Sequence, residues 1–467
     1  FHELKRLSSH PFAVIRIVIA TMVLDEPSRV FILLSTALVH LMTPGLAFFY
    51  GGMVNRNSVL TVMLQSYSSM AVISILWFFV GFSLCYGQDG DVIGNPLTFA
   101  GLQGVNGHTN LLVNGRLIED ISGLTFCIYQ LTFAVITPAI ITGAFLDRLR
   151  YKIPFVIIWF FLVYCPVAHM TWGGGWLQQL GAGDYAGGTV VHITSGFSGL
   201  ASPLVLGKRL NQPAEEIAHN VPFVGLGTAL LWFGWFGFNG GSSLTINGSS
   251  ASAAYMNSQL ASASAATCWI LADIYGRGRP SLVGACIGAI VGLVVITPSA
   301  GYVQPWAAVV MGPIVVPVCY SVCHLRRRYF SKHFDDALDV WGCHGMGGFV
   351  GCILVGVLSD PAECNPGAAS GISTPDWCSS PNTISRSWAQ VGKQSIAAVG
   401  VAAWSFIATA LILKLLSALM VIRIPKGGHV DEYELGELAY STAGGISSGD
   451  EDSQWSEEGA STPVQNS

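Results

Sequence analysis

Apolar runs of about 20 residues recur from residue 30 to residue 422, broken only by short polar connections. That length carries a helix across the hydrocarbon core of a bilayer. Lipid offers no partner for an open backbone, so helices are what such runs form. Eleven spans are expected, at 30–52, 59–87, 121–146, 153–172, 188–206, 221–241, 253–275, 281–299, 305–324, 343–359 and 391–422. Charged residues make up 10% of the 467 positions, against roughly a quarter in soluble proteins. The 54 glycines suit helices that approach one another closely in a membrane. The chain reads as an all-α, polytopic protein of the lipid bilayer. Its net charge of −5 is confined to loops and tails and points to no nucleic-acid partner.

Lysine and arginine fall on alternate connections. The odd ones hold Arg56; Arg148, Arg150 and Lys152; Lys208 and Arg209; Arg277 and Arg279; and Arg326, Arg327, Arg328 and Lys332. The even ones hold only Arg116, Arg386 and Lys393. The positive-inside rule then puts the N-terminus outside and the C-terminus in the cytoplasm, in what is expected to be the plasma membrane. Gaining or losing one span would break the alternation. Residues 29–424 are read as the transmembrane domain and 425–440 as a short cytoplasmic segment. Residues 441–467, rich in Ser, Glu, Gly and Asp, read as a disordered tail. Residues 1–28 stay open between a signal peptide, a disordered segment and a stretch foreign to the native chain. Lys5 and Arg6 before an apolar run to Leu24 favour the signal peptide, and Arg16 within that run argues against it.

One pattern is written twice: Asp184-x7-His192-x3-Gly196-Phe197-x-Gly199 and Asp336-x7-His344-x3-Gly348-Phe349-x-Gly351. The third and eighth spans share Val135-Ile136-Thr137-Pro138 and Val295-Ile296-Thr297-Pro298. The first and sixth share Phe49-Tyr50-Gly51-Gly52 and Phe238-Asn239-Gly240-Gly241. An offset of five spans is odd, so the halves have opposite orientations. This is a 5+5 inverted-topology repeat with one extra helix, and sites in such folds lie near mid-membrane between the halves.

His192 and His344 are therefore the candidate pore residues. An ionisable side chain in an apolar span is costly and suggests function. Two neutral imidazoles can share one hydrogen bond and offer a passing solute a donor or an acceptor. The bland alternative is a pair of satisfied core histidines. A metal site is not expected, because Asp184 and Asp336 each lie eight residues before their histidine, about 12 Å along a helix. Both aspartates are read as helix caps or partners of loop amides, with direct cation binding as the alternative for Asp184. Trp172, Tyr129, Phe133, Trp235, Phe238 and Ser242 fall at external ends of spans or on shared helix faces. They could form an aromatic vestibule for a small cation, worth roughly 0.5–2 kcal/mol per contact. An ordinary interfacial aromatic belt is the competing reading.

Asp184-Tyr185-Ala186-Gly187-Gly188-Thr189-Val190-Val191-His192 resembles the signature of the ammonium transporter family (Amt/Mep, related to Rhesus glycoproteins). So do Ala168-His169-Met170-Thr171-Trp172-Gly173-Gly174-Gly175, Gly234-Trp235-Phe236-Gly237-Phe238-Asn239-Gly240-Gly241 and Asp339-Val340-Trp341-Gly342-Cys343-His344-Gly345. The likeness covers about 30–440 and leans toward the Amt branch. It implies a homotrimer with a pore in each subunit, transporting ammonium or ammonia and, by extension, methylammonium, without a cofactor. Trp172, Ser242 and Tyr129 match the external recruitment site, Tyr129 standing where relatives carry Phe. Phe133 and Phe238 match the phenylalanine gate, and Trp235 lies beside the pore. His192 and His344 match the twin histidines, the first of which some fungal relatives replace by Glu. Asp184 matches an aspartate needed for architecture and conduction, and Asp336 is its repeat partner. The segment Asp431–Tyr440, with Gly436, resembles the family's regulatory stretch, which packs under neighbouring subunits.

Three further expectations are local. Cys364 and Cys378 share one polar loop and would form a disulfide if it faces an oxidising compartment. Asn247-Gly248-Ser249 is a glycosylation sequon in an external loop. Ser441 and Thr442 are phosphorylation candidates beside the cytoplasmic segment. An ammonium sensor signalling through that segment is the competing function, and a PII-type signalling protein a candidate partner. An intramembrane enzyme is not expected, for want of a nucleophile or metal cluster.

Overall fold

The computed structural model describes residues 24–150, 152–209, 218–248, 250–330, 334–360, 384–424 and 435. Eleven long helices follow in chain order. They are α1 Glu26–Met53, α2 Arg56–Tyr86, α3 Gly123–Ala144, α4 Ile153–Leu180, α5 Gly188–Leu206, α6 Val221–Ser243, α7 Ser250–Arg277, α8 Leu282–Ser299, α9 Pro305–Phe330, α10 Trp341–Leu358 and α11 Trp388–Leu419. Side-chain oxygens start several of them. Asp25, Ser122, Asn220, Ser281 and Ser387 each accept from a backbone N–H three residues on, a group the helix itself leaves unbonded.

Ten of these helices are long and apolar enough to cross a membrane. The other, α7, has the length at 28 residues but is diluted by serine and alanine. Its hydroxyls are spent inside the protein. Ser258 donates back to the Ala254 carbonyl at 2.6 Å, while Ser262 and Ser264 reach carbonyls of Ala289 in α8 and Val309 in α9 at 3.1 and 2.7 Å. In lipid such bonds join helices that hydrophobicity alone cannot hold together.

The repeat governs the packing. Helix α1 lies on α6 and α5 on α10, and α1 meets α3 as α6 meets α8. The two hydroxyls of the Thr-Pro repeat behave alike, Thr137 donating to the Phe133 carbonyl and Thr297 to that of Leu293, at 2.6 and 2.7 Å. Helix α11 stands outside the repeat and packs along both α5 and α10. Between α2 and α3 lies a small hairpin, β1 Leu111–Val113 and β2 Arg116–Ile118. Asn114 and Gly115 turn it with φ of +46° and +80°, the conformation tight hairpins demand.

A very close backbone approach joins α5 to α10. A Cβ on Gly196 would lie 2.1 Å from the Cα of Gly345. Main chain cannot yield as a flexible side chain does, so Gly196→Val should cost at least the ~1–3 kcal/mol of ordinary overpacking. The expected reading is a large fall in thermal midpoint, or loss of the monodisperse peak, in detergent gel filtration. Gly392→Ala on α11 is the control, because nothing lies within 4 Å of that position.

Candidate functional site

Both histidines sit on π-helical turns at the start of their helices, Gly188–Ile193 in α5 and Trp341–Gly345 in α10. The His192 N–H reaches back five residues to the Gly187 carbonyl at 3.0 Å. Gly187 has φ +115°, which only glycine adopts freely, and so allows the chain to enter this widened turn. The two Nδ1 atoms are 3.2 Å apart, within hydrogen-bond reach, so one donates and the other accepts. The rings are nearly parallel, 28° apart with centroids at 5.3 Å. Trp235 stacks on His192 at 5.5 Å and 19°, its indole N–H fixed by Thr297 Oγ1 at 3.0 Å. His192 Nε2 is buried and, among the described residues, has no hydrogen-bond partner.

From His192 a file of rings leads outward. Phe238 lies 6.1 Å from His192, Phe133 lies 4.5 Å from Phe238, and Trp172 meets Phe133 edge-on at 5.7 Å. Phe133 and Phe238 are tilted by 42° and packed against each other. Beyond them opens a cavity of about 570 Å³, lined by Phe133, Trp172, Ser242, Gln130 and Tyr302 and overhung by the β1–β2 hairpin. The Trp172 N–H is committed to the Asp184 carbonyl at 2.9 Å, which leaves the ring face to the cavity. Ser242 Oγ donates to the Phe238 carbonyl at 2.8 Å and keeps its lone pairs. Tyr129 is fully buried, and its hydroxyl contacts the carbonyls of Gly237 and Phe238 and Ser242 Oγ at 3.0, 2.9 and 3.2 Å. It pins the end of α6 and does not face the cavity as a free hydroxyl.

The two aspartates precede their histidine turns but are bonded differently. Asp184 accepts from the N–H groups of Gly187, Gly188, Thr189 and Val190 at 2.7–3.2 Å and from the Thr189 hydroxyl. Asp336 accepts from the Trp341 N–H at 2.8 Å through Oδ2, while its buried Oδ1 has no hydrogen-bond partner among the described residues. Burial pushes the Asp336 carboxyl up to about 7, against the pull of Arg326 and the Trp341 amide. Its neighbours are firmly ionic: Asp335 binds Arg209 through both oxygens at 2.8 and 3.0 Å, and Asp339 binds Arg326 at 2.7 Å and also Arg327.

Two outcomes follow from this contrast. Asp184→Asn loses charge-assisted bonds worth about 1.5–3 kcal/mol each and should lower the thermal midpoint steeply at neutral pH. Asp336 binds its proton more tightly folded than unfolded, so it stabilises most below the ordinary carboxylate range. That contribution is lost as pH rises towards about 7 and changes no further above it. The thermal midpoint of Asp336→Asn relative to wild type should therefore climb between pH 5 and pH 7.5.

Sequence reasoning passed over Thr297 as a partner of Trp235, although it marked that threonine as part of the repeat. It also passed over Gln390 and Gln394, two amides one turn apart in the apolar run of α11, which is a readable sign. Gly436, Cys364, Cys378, Ser441 and Thr442 lie outside the described residues. Asn247 is exposed, with its amide donating to Asp25 at 3.3 Å.

Comparison with known proteins gives this geometry its family. The Ammonium Transporter Family profile matches residues 30–440. An ammonium transporter of Bacillus subtilis is 42% identical over 397 residues, 84% of this chain and 93% of the relative. Ammonium transporter 1 of Schizosaccharomyces pombe is 38% identical, over 88% and 81%. The crystal structure of Saccharomyces cerevisiae Mep2 superposes with a TM-score of 0.77 at 33% identity, covering 90% of this chain and 93% of that one. A structure described as a sensor Amt protein superposes at 0.74 with 25% identity, over 90% and 98%. This chain belongs to the ammonium transporter family.

Proposed function

We propose that the protein recruits ammonium in the external vestibule, strips its proton near the Phe133–Phe238 gate and conducts ammonia past His192 and His344. The observation that carries this reading is the unpartnered His192 Nε2 at the inner end of the ring file. A buried polar nitrogen left unbonded is costly, and a small solute that bonds it in passing relieves the cost. The Trp172 ring face attracts a cation, and Ser242 offers lone pairs to its N–H groups. A dehydrated ammonium ion cannot enter an apolar pore cheaply. Ammonia can, once the proton has left. Potassium has no proton to give up, so the same step excludes it. His192 Nε2 accepts the proton that ammonium gives up, and the Nδ1–Nδ1 contact hands a proton on to His344, so that it follows separately with net charge movement. In this reading Tyr129 holds the gate helix, Trp235 braces His192, and Asp184 and Asp336 fix the two histidine turns.

The proposal extends to a homotrimer in the plasma membrane, N-terminus outside and C-terminus cytoplasmic. Residues 425–440 with Gly436 would act as the regulatory segment, open to a PII-type protein. Methylammonium is the natural second substrate. The sensor reading draws on the likeness to the sensor Amt structure, at 25% identity against 42% for the Bacillus transporter.

Protein reconstituted in liposomes should pass an ammonium-evoked current and none with potassium. His192→Ala with His344→Ala should abolish that current or let potassium through. Folded wild-type protein that moves ammonium neither as current nor as an internal pH change would sink the transport mechanism and favour the sensor.

A further inference from the structure

Gln394 lies in α11, the helix outside the repeat, and none of it is exposed. Every hydrogen-bonding site on its amide is used. The oxygen accepts from the Gly183 N–H at 2.6 Å and from the Gln390 amide at 3.0 Å. The nitrogen donates to the Gly183 carbonyl at 2.7 Å and to the Cys352 carbonyl of α10 at 3.1 Å. Because Gly183 presents both a donor and an acceptor, the orientation of the amide is fixed by its partners. One turn earlier Gln390 donates to the Gly181 carbonyl at 2.9 Å. Two buried amides in an otherwise apolar span are a costly way to pack a helix. What they hold is a stretch, Gly181–Gly183, with no helix or strand of its own.

The next residue is Asp184. Its carbonyl fixes the Trp172 indole at 2.9 Å, and its carboxylate fixes the turn carrying His192. We propose that Gln394 is a positioning residue for ammonium recruitment, setting the Trp172 face and the His192 turn through Gly183 and Asp184. The proposal rests on the recruitment reading given above.

The other half of the repeat supports it. Asp335, the residue before Asp336, is clamped in the same place by ions. Arg209 binds its carboxylate, and Arg148 donates to its carbonyl at 2.6 Å. Each half thus holds the residue before its capping aspartate with a side chain from elsewhere. Only the half beside the cation vestibule does so without charge. A carboxamide meets the N–H and the carbonyl of Gly183 together, which a guanidinium, having donors only, cannot do.

The test is ammonium-evoked current in liposomes, fitted for half-saturating concentration and maximal current, with Gln394→Leu, Gln394→Glu and Trp172→Leu beside wild type. Gln394→Leu should raise the half-saturating concentration about tenfold, with the maximum changed less than about twofold. Gln394→Glu carries the distinguishing signature. A protonated carboxyl still offers Gly183 one donor and one acceptor, while the ionised form loses the donor and sets a charge against the Gly183 carbonyl. Its half-saturating concentration should match wild type at low pH and rise above it as pH rises. A merely structural role would lower the yield of folded protein without that pH-dependent affinity. Wild-type half-saturation in both Gln394 variants, or their failure to fold at any pH, would overturn the proposal. Should Trp172→Leu leave half-saturation unchanged, the recruitment reading fails and takes this one with it. A shift in Trp172→Leu alone removes only the role of Gln394.

Discussion

The contact of bare backbone on bare backbone where α5 crosses α10 is the constraint on which the rest depends. Gly196 and Gly345 leave no room for a Cβ between them. Gly348 is nearly as tight, a Cβ there meeting the Gly188 carbonyl and the His192 side chain at 2.9 Å. In lipid such small-residue crossings replace the hydrophobic drive that assembles soluble helices. The crossing also decides what can face the lumen. Once the two backbones touch, His192, one turn before Gly196, meets His344, the residue before Gly345. The histidine pair is thus a by-product of a packing solution, set by what the glycine-rich helices carry next to their glycines.

A widened turn makes that arrangement usable. In a regular helix each N–H bonds the carbonyl four residues back; the π turns at 188–193 and 341–345 bond five back. They need outside help, because opening a helix at its first turn leaves donors unmet. Asp184 supplies it on one side with five accepted bonds, and Asp336 on the other with the amide of Trp341. Chemistry in the pore and stability of the fold therefore share the same residues. A survey of variants that scored conduction alone would confuse the two.

The architecture was legible because hydropathy acts on whole segments. Eleven runs gave eleven helices, and the five-span offset gave the pairing of α5 with α10. Errors lay at the ends. Helix α4 runs past 172 to Leu180 because a short turn, Trp176–Leu180, resumes after Gly173–Gly175. Helix α9 runs past 324 to Phe330, its last turn held by the Arg326–Asp339 pair. Composition averages cannot see either event. The site was less legible for a related reason. Gln394 acts on main-chain groups of Gly183, and any residue carries those groups, so no pattern in the sequence names the partner. Tyr129 is similar: its hydroxyl serves the backbone of Gly237 and Phe238, and only the fold brings those carbonyls near.

The repeat also shows where symmetry stops. Two halves of opposite orientation place equivalent aspartates at opposite ends of one path, yet their surroundings differ. The carboxylate of Asp184 faces five donors. Asp336 accepts from the amide of Trp341 and lies near a like charge on Asp339, and burial carries it to about 7. The cavity beside Asp184 is lined by charges of both signs, Arg116 and Glu119. A carboxyl half-protonated at neutral pH at the other end holds a smaller charge, and the arginines around it are already paired with Asp335 and Asp339. The backbone is two-fold, but the bonding around its two aspartates is not, because each half brings its own donors to the same place in the chain.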